Sequence, residues 1–250
     1  QTIFDLTECS PDAMRVEVVG HQWWFEFRYS NMDGIPEGTT IETANSMVVP
    51  AGEEVCALMT SDDVVHNFWV PKLNGKRYLI PGQETLLRLQ ADEPGTYHAH
   101  CAEFCGLSHS LMRANIQAVP RADFDAWLAR QLEPSAIPDE GTPAADGLQV
   151  FQNAGCVQCH TVEFEENDRG ITSNVIDLAN FNGPNLTHFA DQYRTHFAGA
   201  ALPAAGEDYE EELKEWLADP PMKKPGSFMP DLDLTEAEID QLIAWLMTLE

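Results

Sequence analysis

The chain has 250 residues, 41 Asp and Glu against 14 Lys and Arg, and a formal net charge of −27. A surface this acidic repels phosphate backbones, which argues against nucleic-acid binding. The 44% apolar and 22% charged residues are those of a globular protein, no run approaches the about 18 apolar residues of a membrane span, and no secretory signal is present.

In chain order, residues 1–120 read as β. MRVEVV (14–19) alternates apolar and polar side chains, and GHQWWFEFRY (20–29) is aromatic-rich and strand-like. Turn signals follow in NMDG (31–34) and PEG (36–38). TIETANSMVVPAGEEVCALMTS (40–61) gives further strand, broken at Pro50-Ala51-Gly52. HNFWV (66–70), ETLLRLQ (84–90) and GTYHAH (95–100) come next, separated by Pro and Gly. Many short strands punctuated in this way predict a sandwich or Greek-key barrel.

The period then changes. Phe124, Trp127, Leu128 and Leu132 recur at helical spacing within 121–133, and Asp123 and Asp125 lie in the first turn, where the dipole favours carboxylates. PSAIPDEGTPAAD (134–146) is rich in Pro, Gly and Ala and reads as a linker. Beyond it, GLQVFQNAGC (147–156), HFADQYRTHFAGA (188–200), DYEEELKEWLAD (208–219) and TEAEIDQLIAWLMTLE (235–250) read as helical. In the last, Thr235 with Glu238 makes a capping box, and Ile239, Leu242, Ile243 and Leu246 form one face. The expected organisation is multidomain: a β unit over 1–133, a linker over 134–146 and an all-α unit over 147–250. The insert VEFEENDRGITSNVIDLANF (162–181) fits no pattern.

Four of the six cysteines form two tight pairs, each followed by a histidine, which points to metals and cofactors before a disulfide framework. Cys9 and Cys56 stand outside both pairs. A disulfide between them, which an oxidising compartment permits, and two free thiols are both open.

Cys156-Val157-Gln158-Cys159-His160 is C-x-x-C-H. Two thiols at this spacing can add across the vinyl groups of haem, and the next residue can ligate iron from one side. A chance redox CxxC or half a zinc site is the competing reading, but no second CxxC completes a zinc site. Met229, in Ser227-Phe228-Met229-Pro230, is the expected second axial ligand, since a thioether there raises the potential. Met222, beside Pro220 and Pro221, is its rival, and either could be core filler. His188 and His196 are further possible ligands, whose plainer reading is ordinary partly buried or surface side chains.

Cys101 to Met112 reads C-x3-C-x3-H-x2-M. Thiolate, imidazole and thioether in one loop are soft and borderline ligands, suited to copper. A mononuclear blue-copper site needs one thiolate, so the second allows two metals to be bridged. Each copper then needs its own histidine. His109 supplies one, and His66 in DVVHNF (63–68) is placed to supply the other. A Cys101–Cys105 disulfide, a Cys2His2 zinc site and Met112 as core filler compete. The first makes the His109 and Met112 spacing a coincidence, and methionine is a poor zinc ligand.

Residues 143–250 resemble class I cytochrome c domains, through CVQCH (156–160), Gly183-Pro184-Asn185-Leu186 and the Met229-Pro230 loop before a C-terminal helix. The first 133 residues resemble the extramembrane domain of cytochrome c oxidase subunit II, through GHQWW (20–24), DVVHNFWVPKLNGKRYLIPG (63–82) and YHAHCAEFCGLSHSLM (97–112). The resemblance implies an all-β cupredoxin-like Greek-key barrel carrying the dinuclear copper centre CuA, followed by an all-α cytochrome c domain, the arrangement of caa3-type oxidases. By matching position, it makes Cys101 and Cys105 the bridging thiolates and His66 and His109 the terminal imidazoles. Met112 becomes a weak axial ligand, and the Glu103 main-chain carbonyl serves the other copper. The Glu103 carboxylate would also reach a magnesium at the contact with subunit I. Cys156 and Cys159 would carry haem c, His160 and Met229 would be its axial ligands, and the Pro184 carbonyl would orient His160. Trp23 matches the residue through which an electron enters CuA, with core packing equally open.

The same resemblance implies an electron-transfer subunit of a haem-copper terminal oxidase. Electrons would come from an external donor protein to haem c, pass to CuA, and go on to haem a of subunit I for oxygen reduction. Subunit I and other oxidase subunits are the implied partners, on the extracytoplasmic face of a bacterial plasma membrane. The family's two N-terminal membrane helices are missing from these residues, so a partial, soluble chain of a membrane-anchored protein is expected. His100 stands where relatives often have glutamine; it and His98 share a strand face and read as ordinary polar side chains.

Two other classes compete. A nitrous-oxide reductase relative would need a large His-rich propeller, and a nitrite reductase relative a three-histidine copper, for which the spare histidines are too scattered. A copper carrier would bind reversibly, one ion at a time. The acidity itself reads either as steering of a basic or weakly charged donor or as adaptation to high salt.

Overall fold

A computed structural model of the chain describes residues 8–164, 183–193 and 209–250. They form two compact units that part at Leu132/Glu133.

The first unit holds β1 (Met14–His21), β2 (Trp24–Tyr29), β3 (Ile41–Ala44), β4 (Ser46–Pro50), β5 (Glu54–Ser61), β6 (His66–Trp69), β7 (Lys76–Leu79), β8 (Thr85–Gln90), β9 (Gly95–Cys101) and β10 (Arg113–Val119). They make two five-stranded sheets, ordered β3-β2-β1-β5-β8 and β4-β10-β9-β6-β7. β1 runs parallel to β5 and β4 parallel to β10; the other pairs are antiparallel. Alternation sets the faces: Val16 and Val18 are buried while Arg15 and Glu17 face out. Phe25, Phe27, Tyr29, Met47, Met59 and Phe68 fill the space between the sheets. Tyr29 ties the two together, its hydroxyl accepting from the Val48 N–H at 2.8 Å and donating to the Val48 carbonyl at 3.1 Å. α1 (Arg121–Arg130) lays Phe124, Trp127 and Leu128 onto this core.

Three local features depart from the alternation pattern. The run 20–29 is two strands, because the chain turns at Gln22 and Trp23. The long run 40–61 crosses between sheets at Asn45, whose φ of 57° is one that asparagine tolerates. Its side-chain carbonyl accepts from the Phe25 N–H at 2.9 Å, which pins the crossing. β7 and β10 are strands that periodicity does not mark.

The Glu26 carboxylate, on β2, lies 2.9 Å from His21 Nε2 and 2.7 Å from Arg28 Nε. Burial alone would raise its pKa, but the His21 and Arg28 contacts outweigh burial and hold it below the ordinary value of 4.5. A depressed folded-state pKa means stability that is fully present above about pH 4.5 and lost as the pH falls through the lower folded value. Glu26→Gln is therefore expected to flatten the acid limb of a Tm-against-pH curve. An unchanged limb would remove Glu26 from the acid response.

The second unit holds α2 (Pro143–Asn153), α3 (Phe189–Tyr193), α4 (Tyr209–Ala218), α5 (Pro220–Lys223) and α6 (Glu236–Leu246). The Thr142 hydroxyl caps α2 with Pro143 at its first position, so the helix begins inside the stretch read as linker. Ser135, in the same stretch, bonds Glu163 at 2.9 Å and Thr187 at 2.6 Å. The predicted capping box of α6 is present, and Ile239, Leu242, Ile243 and Leu246 are buried with Trp245. Most of the 162–181 insert, the second half of the 188–200 helix and His196 lie outside the described residues.

α2 and α6 meet at Gly147. A Cβ there would run into the Gln241 carbonyl oxygen and lie 2.8 Å from Trp245 Cβ. Gly147→Ala is expected to part the two helices and cost about 1–3 kcal/mol, the range for overpacking. Chemical denaturation should show the loss in the helical unit; an unchanged midpoint would contradict the close crossing.

Candidate metal centres

The sequence from β9 to β10 folds into one tight loop. Cys101 ends β9, a short 3-10 turn spans His109–Leu111, and Met112 leads into β10. The ends are clamped: the Cys101 N–H donates to the Met112 carbonyl at 3.0 Å, and the Ala102 N–H to the Asn67 carbonyl at 3.0 Å. His66 enters from the first residue of β6, opposite Leu79.

The loop gathers six donors. The Cys101 and Cys105 sulfurs are 3.7 Å apart and unbonded. Cys101 Sγ lies 3.9 Å from His66 Nδ1 and 3.2 Å from the Glu103 carbonyl oxygen. Cys105 Sγ lies 3.5 Å from His109 Nδ1 and 3.9 Å from Met112 Sδ. Each sulfur thus faces a different imidazole. His66 and Met112 are almost wholly buried and Cys101 and Cys105 nearly so. Among the described residues, His66, Cys101 and Cys105 are the one His, Cys, Asp and Glu group compact enough to hold a metal. This excludes a Cys101–Cys105 disulfide. It fits two soft metals sharing two thiolates better than one tetrahedral zinc, which has no use for a thioether or a main-chain oxygen.

The electrostatics favour thiolate. The hydrogen bond from Cys105, reinforced by His66, pulls the Cys101 thiol down to about 3, against the opposing effect of burial. The same pairing pushes the Cys105 thiol up, so the metal-free pair shares a proton that metal binding displaces.

Two neighbours that the motif does not mark complete the surroundings. The Asp63 carboxylate lies 2.7 Å from His66 Nε2 and is fixed by the N–H groups of Gln22 at 2.5 Å and Val64 at 2.6 Å. Burial would lower the His66 pKa, but Asp63 and Cys101 raise it. A carboxylate on the outer nitrogen of a ligand histidine fixes its tautomer and aim. An Asp three residues before a ligand His was the available signal. Gln22 and Trp23 both donate to the Cys105 carbonyl, at 2.5 Å and 3.0 Å. Trp23 is only 6% exposed, so it packs in the core and is also bonded to a ligand residue's main chain.

In the second unit, Cys156 opens a short 3-10 turn, and the Cys159 and His160 N–H groups both donate to its carbonyl, at 3.1 Å and 3.0 Å. Both thiols are free. His160 Nδ1 bonds the Pro184 carbonyl at 2.8 Å, and burial holds its imidazole pKa below the ordinary value against that bond. The bond at Nδ1 leaves Nε2 as the ring nitrogen available to a metal. Met229 is half-buried against the same core as Cys156 and Val157, whereas Met222 is 76% exposed. His188 is turned to another task, its Nδ1 bonding the Glu250 carbonyl at 2.9 Å. Two free thiols at C-x-x-C spacing, an imidazole oriented by a main-chain carbonyl and a half-buried thioether fit covalent haem c. His98 Nδ1 bonds Asn115 at 2.9 Å, as an ordinary polar side chain does.

A two-sheet barrel whose β9–β10 loop gathers two free thiols, two imidazoles and a thioether is followed in the chain by a helical unit that carries a C-x-x-C-H turn. Residues 14–119 match the family "Cytochrome C oxidase subunit II, periplasmic domain", and residues 144–250 match "Cytochrome c". The chain thus carries, in order, a region matching the periplasmic domain of cytochrome c oxidase subunit II and a region matching cytochrome c. It is 35% identical over 244 residues to cytochrome c oxidase subunit 2 of Alkalihalophilus pseudofirmus, covering 97% of this chain and 63% of that one. The counterpart of Bacillus sp. (strain PS3) is 32% identical over 243 residues, covering 94% and 62%. The chain thus spans a little under two thirds of these relatives' length. A solved periplasmic domain of subunit II of cytochrome oxidase from Bradyrhizobium japonicum is 25% identical, covering 49% of this chain and 96% of that one, with a TM-score of 0.45. Among the described residues, no helix is long and apolar enough to cross a membrane.

Proposed function

We propose that this chain is the electron-transfer subunit of a caa3-type haem-copper oxidase, taking electrons from an external donor at haem c and passing them through dinuclear CuA to haem a of subunit I, where oxygen is reduced. The observation that carries this reading is the unbonded pair of buried sulfurs, 3.7 Å apart, each facing its own imidazole. The copper pair supplies a one-electron store whose charge is spread over two metals, and haem c supplies a second store. The chain alone only transfers electrons.

The residues divide the work. Cys101, Cys105, His66, His109, Met112 and the Glu103 carbonyl would hold the copper pair, the two thiolates shared between the metals, one imidazole serving each, and Met112 and the Glu103 carbonyl as the weaker donors. Asp63 keeps the proton on His66 Nε2 and leaves Nδ1 to the metal. Pro184 does the same for His160 from the other nitrogen. A buried, prearranged loop limits rearrangement on a change of charge. Trp23, bonded to the Cys105 carbonyl, is the route by which an electron reaches the copper loop. The Glu103 carboxylate would supply an oxygen ligand to a magnesium at the contact with subunit I. Val64, Val65, Phe104 and Leu107 are large apolar side chains left exposed in the ligand-bearing loops, with Phe104 at 78% and Leu107 at 77%. Such an apolar patch suits docking on subunit I. The site faces the outer side of a bacterial plasma membrane, with membrane anchors in the full-length protein.

A catalytic copper or haem reductase remains the second reading only if the iron is open. Met229 is expected to close it, so reduced parent protein should bind carbon monoxide poorly and Met229→Ala readily. Ready binding by the parent would overturn the closed site. The test of the electron path is flash reduction of the haem in the loaded, oxidised chain. Bleaching of the copper absorption should follow at a rate independent of protein concentration. A rate proportional to concentration would contradict transfer within one chain.

A further inference from the structure

We infer that Gly20 is a positioning residue for the copper ligand His66, its missing side chain leaving the space in which the imidazole is held. The inference rests on the copper reading above. Gly20 lies in β1, the central strand of its sheet, and its backbone is not in the left-handed region that would itself demand glycine. A Cβ built there would stand 2.8 Å from His66 Cδ2, 3.2 Å from His66 Cγ and 3.1 Å from Leu79 Cδ2. Real Cβ atoms essentially never come as close as the 2.8 Å to His66 Cδ2, so something must yield.

The geometry decides what yields. Gly20 is paired with Phe25 on one side and Ser61 on the other. Its carbonyl accepts from the Asp62 N–H at 3.1 Å and the Ser61 hydroxyl at 3.2 Å. The strand is therefore held from both sides. Leu79 is fully buried opposite His66, and its Cδ2 is the lesser of the two approaches, so the closer contact falls on the imidazole. His66 is anchored at Nε2 by Asp63, 2.7 Å away. A methyl group at position 20 must turn the ring about that anchor, and the atom that swings is Nδ1, which faces Cys101.

The haem side repeats the arrangement. A Cβ on Gly183 would stand 2.7 Å from His160 Cε1 and 2.8 Å from His160 Nδ1, again with no left-handed backbone to explain the glycine. In each unit a ligand imidazole rests against a bare Cα.

The test uses the full chain loaded with copper and haem. Gly20→Ala is compared with the parent and with Gly75→Ala, where an added Cβ meets nothing within 4 Å. Gly20→Ala should keep its haem spectrum but show an altered copper hyperfine pattern and a shifted copper midpoint potential, while Gly75→Ala matches the parent. A folded Gly20→Ala with the parent's hyperfine pattern and potential, whatever its Tm, would overturn the inference. If Gly20→Ala does not fold, Leu79→Ala is compared with Gly20→Ala/Leu79→Ala. The pair must differ from the single variant in both readouts, and identical signatures would overturn the inference. A parent without a shared two-copper signature would instead sink the copper reading. In that case the His66 ring resonances of metal-free Gly20→Ala still decide, by shifting or by matching the parent.

Discussion

Cys105→Ser is expected to abolish the two-copper centre, leaving at most one copper per chain. Cys105 Sγ stands among three other donors, 3.7 Å from Cys101 Sγ, 3.5 Å from His109 Nδ1 and 3.9 Å from Met112 Sδ. A serine hydroxyl keeps the shape but is a hard, protonated donor and cannot bridge as a thiolate does. Changes outside the ligand shell already cost metal sites about 10–100-fold in affinity, so loss of a bridging ligand should exceed about 100-fold. Copper analysis after dialysis against a chelator would measure it. The haem spectrum should be unaffected, because the haem ligands lie in a separate compact unit. Retention of two tightly held coppers would show that the second sulfur is not a bridge.

The second large effect concerns Cys9 and Cys56, which are disulfide-bonded across a sequence separation of 47. Closing a loop of that length removes chain entropy from the unfolded state worth about 4 kcal/mol. The bond ties the segment before β1 to β5, where the Ser10 N–H and hydroxyl also bond Glu54, at 2.7 Å and 2.6 Å. Cys9→Ser/Cys56→Ser is expected to lower the Tm of the copper-domain transition by roughly 10 °C or more. Copper spectra of the folded variant should match the parent, since neither residue is a ligand. A Tm within a degree or two of the parent would mean that the unfolded chain is already constrained there.

The gathering of donors was legible because it is local: Cys101, Cys105, His109 and Met112 share one short loop, and C-x-x-C-H is a contiguous motif. His66 could be nominated as the second histidine but not tied to the loop by spacing, because it reaches the site from another strand. The Cys9–Cys56 pairing stayed open for the same reason, since it depends on β5 lying beside β1 in parallel. Asp63 and Gln22 escaped notice because they act through hydrogen bonds that only the folded loops create. Strand boundaries failed where backbone geometry overrides alternation, at the Gln22-Trp23 turn and at Asn45. The start of α2 was missed because Pro143 and the small residues after it resemble linker, although Thr142 followed by proline is a helix-start signal.

The most direct test of the account is electron paramagnetic resonance of the copper-loaded chain, with copper counted on the same sample. Two coppers per chain, with one unpaired electron shared evenly between them, are the predicted result. A single-copper signal with coupling to one nucleus, or one copper per chain at saturation, would contradict the dinuclear centre and the electron path built on it.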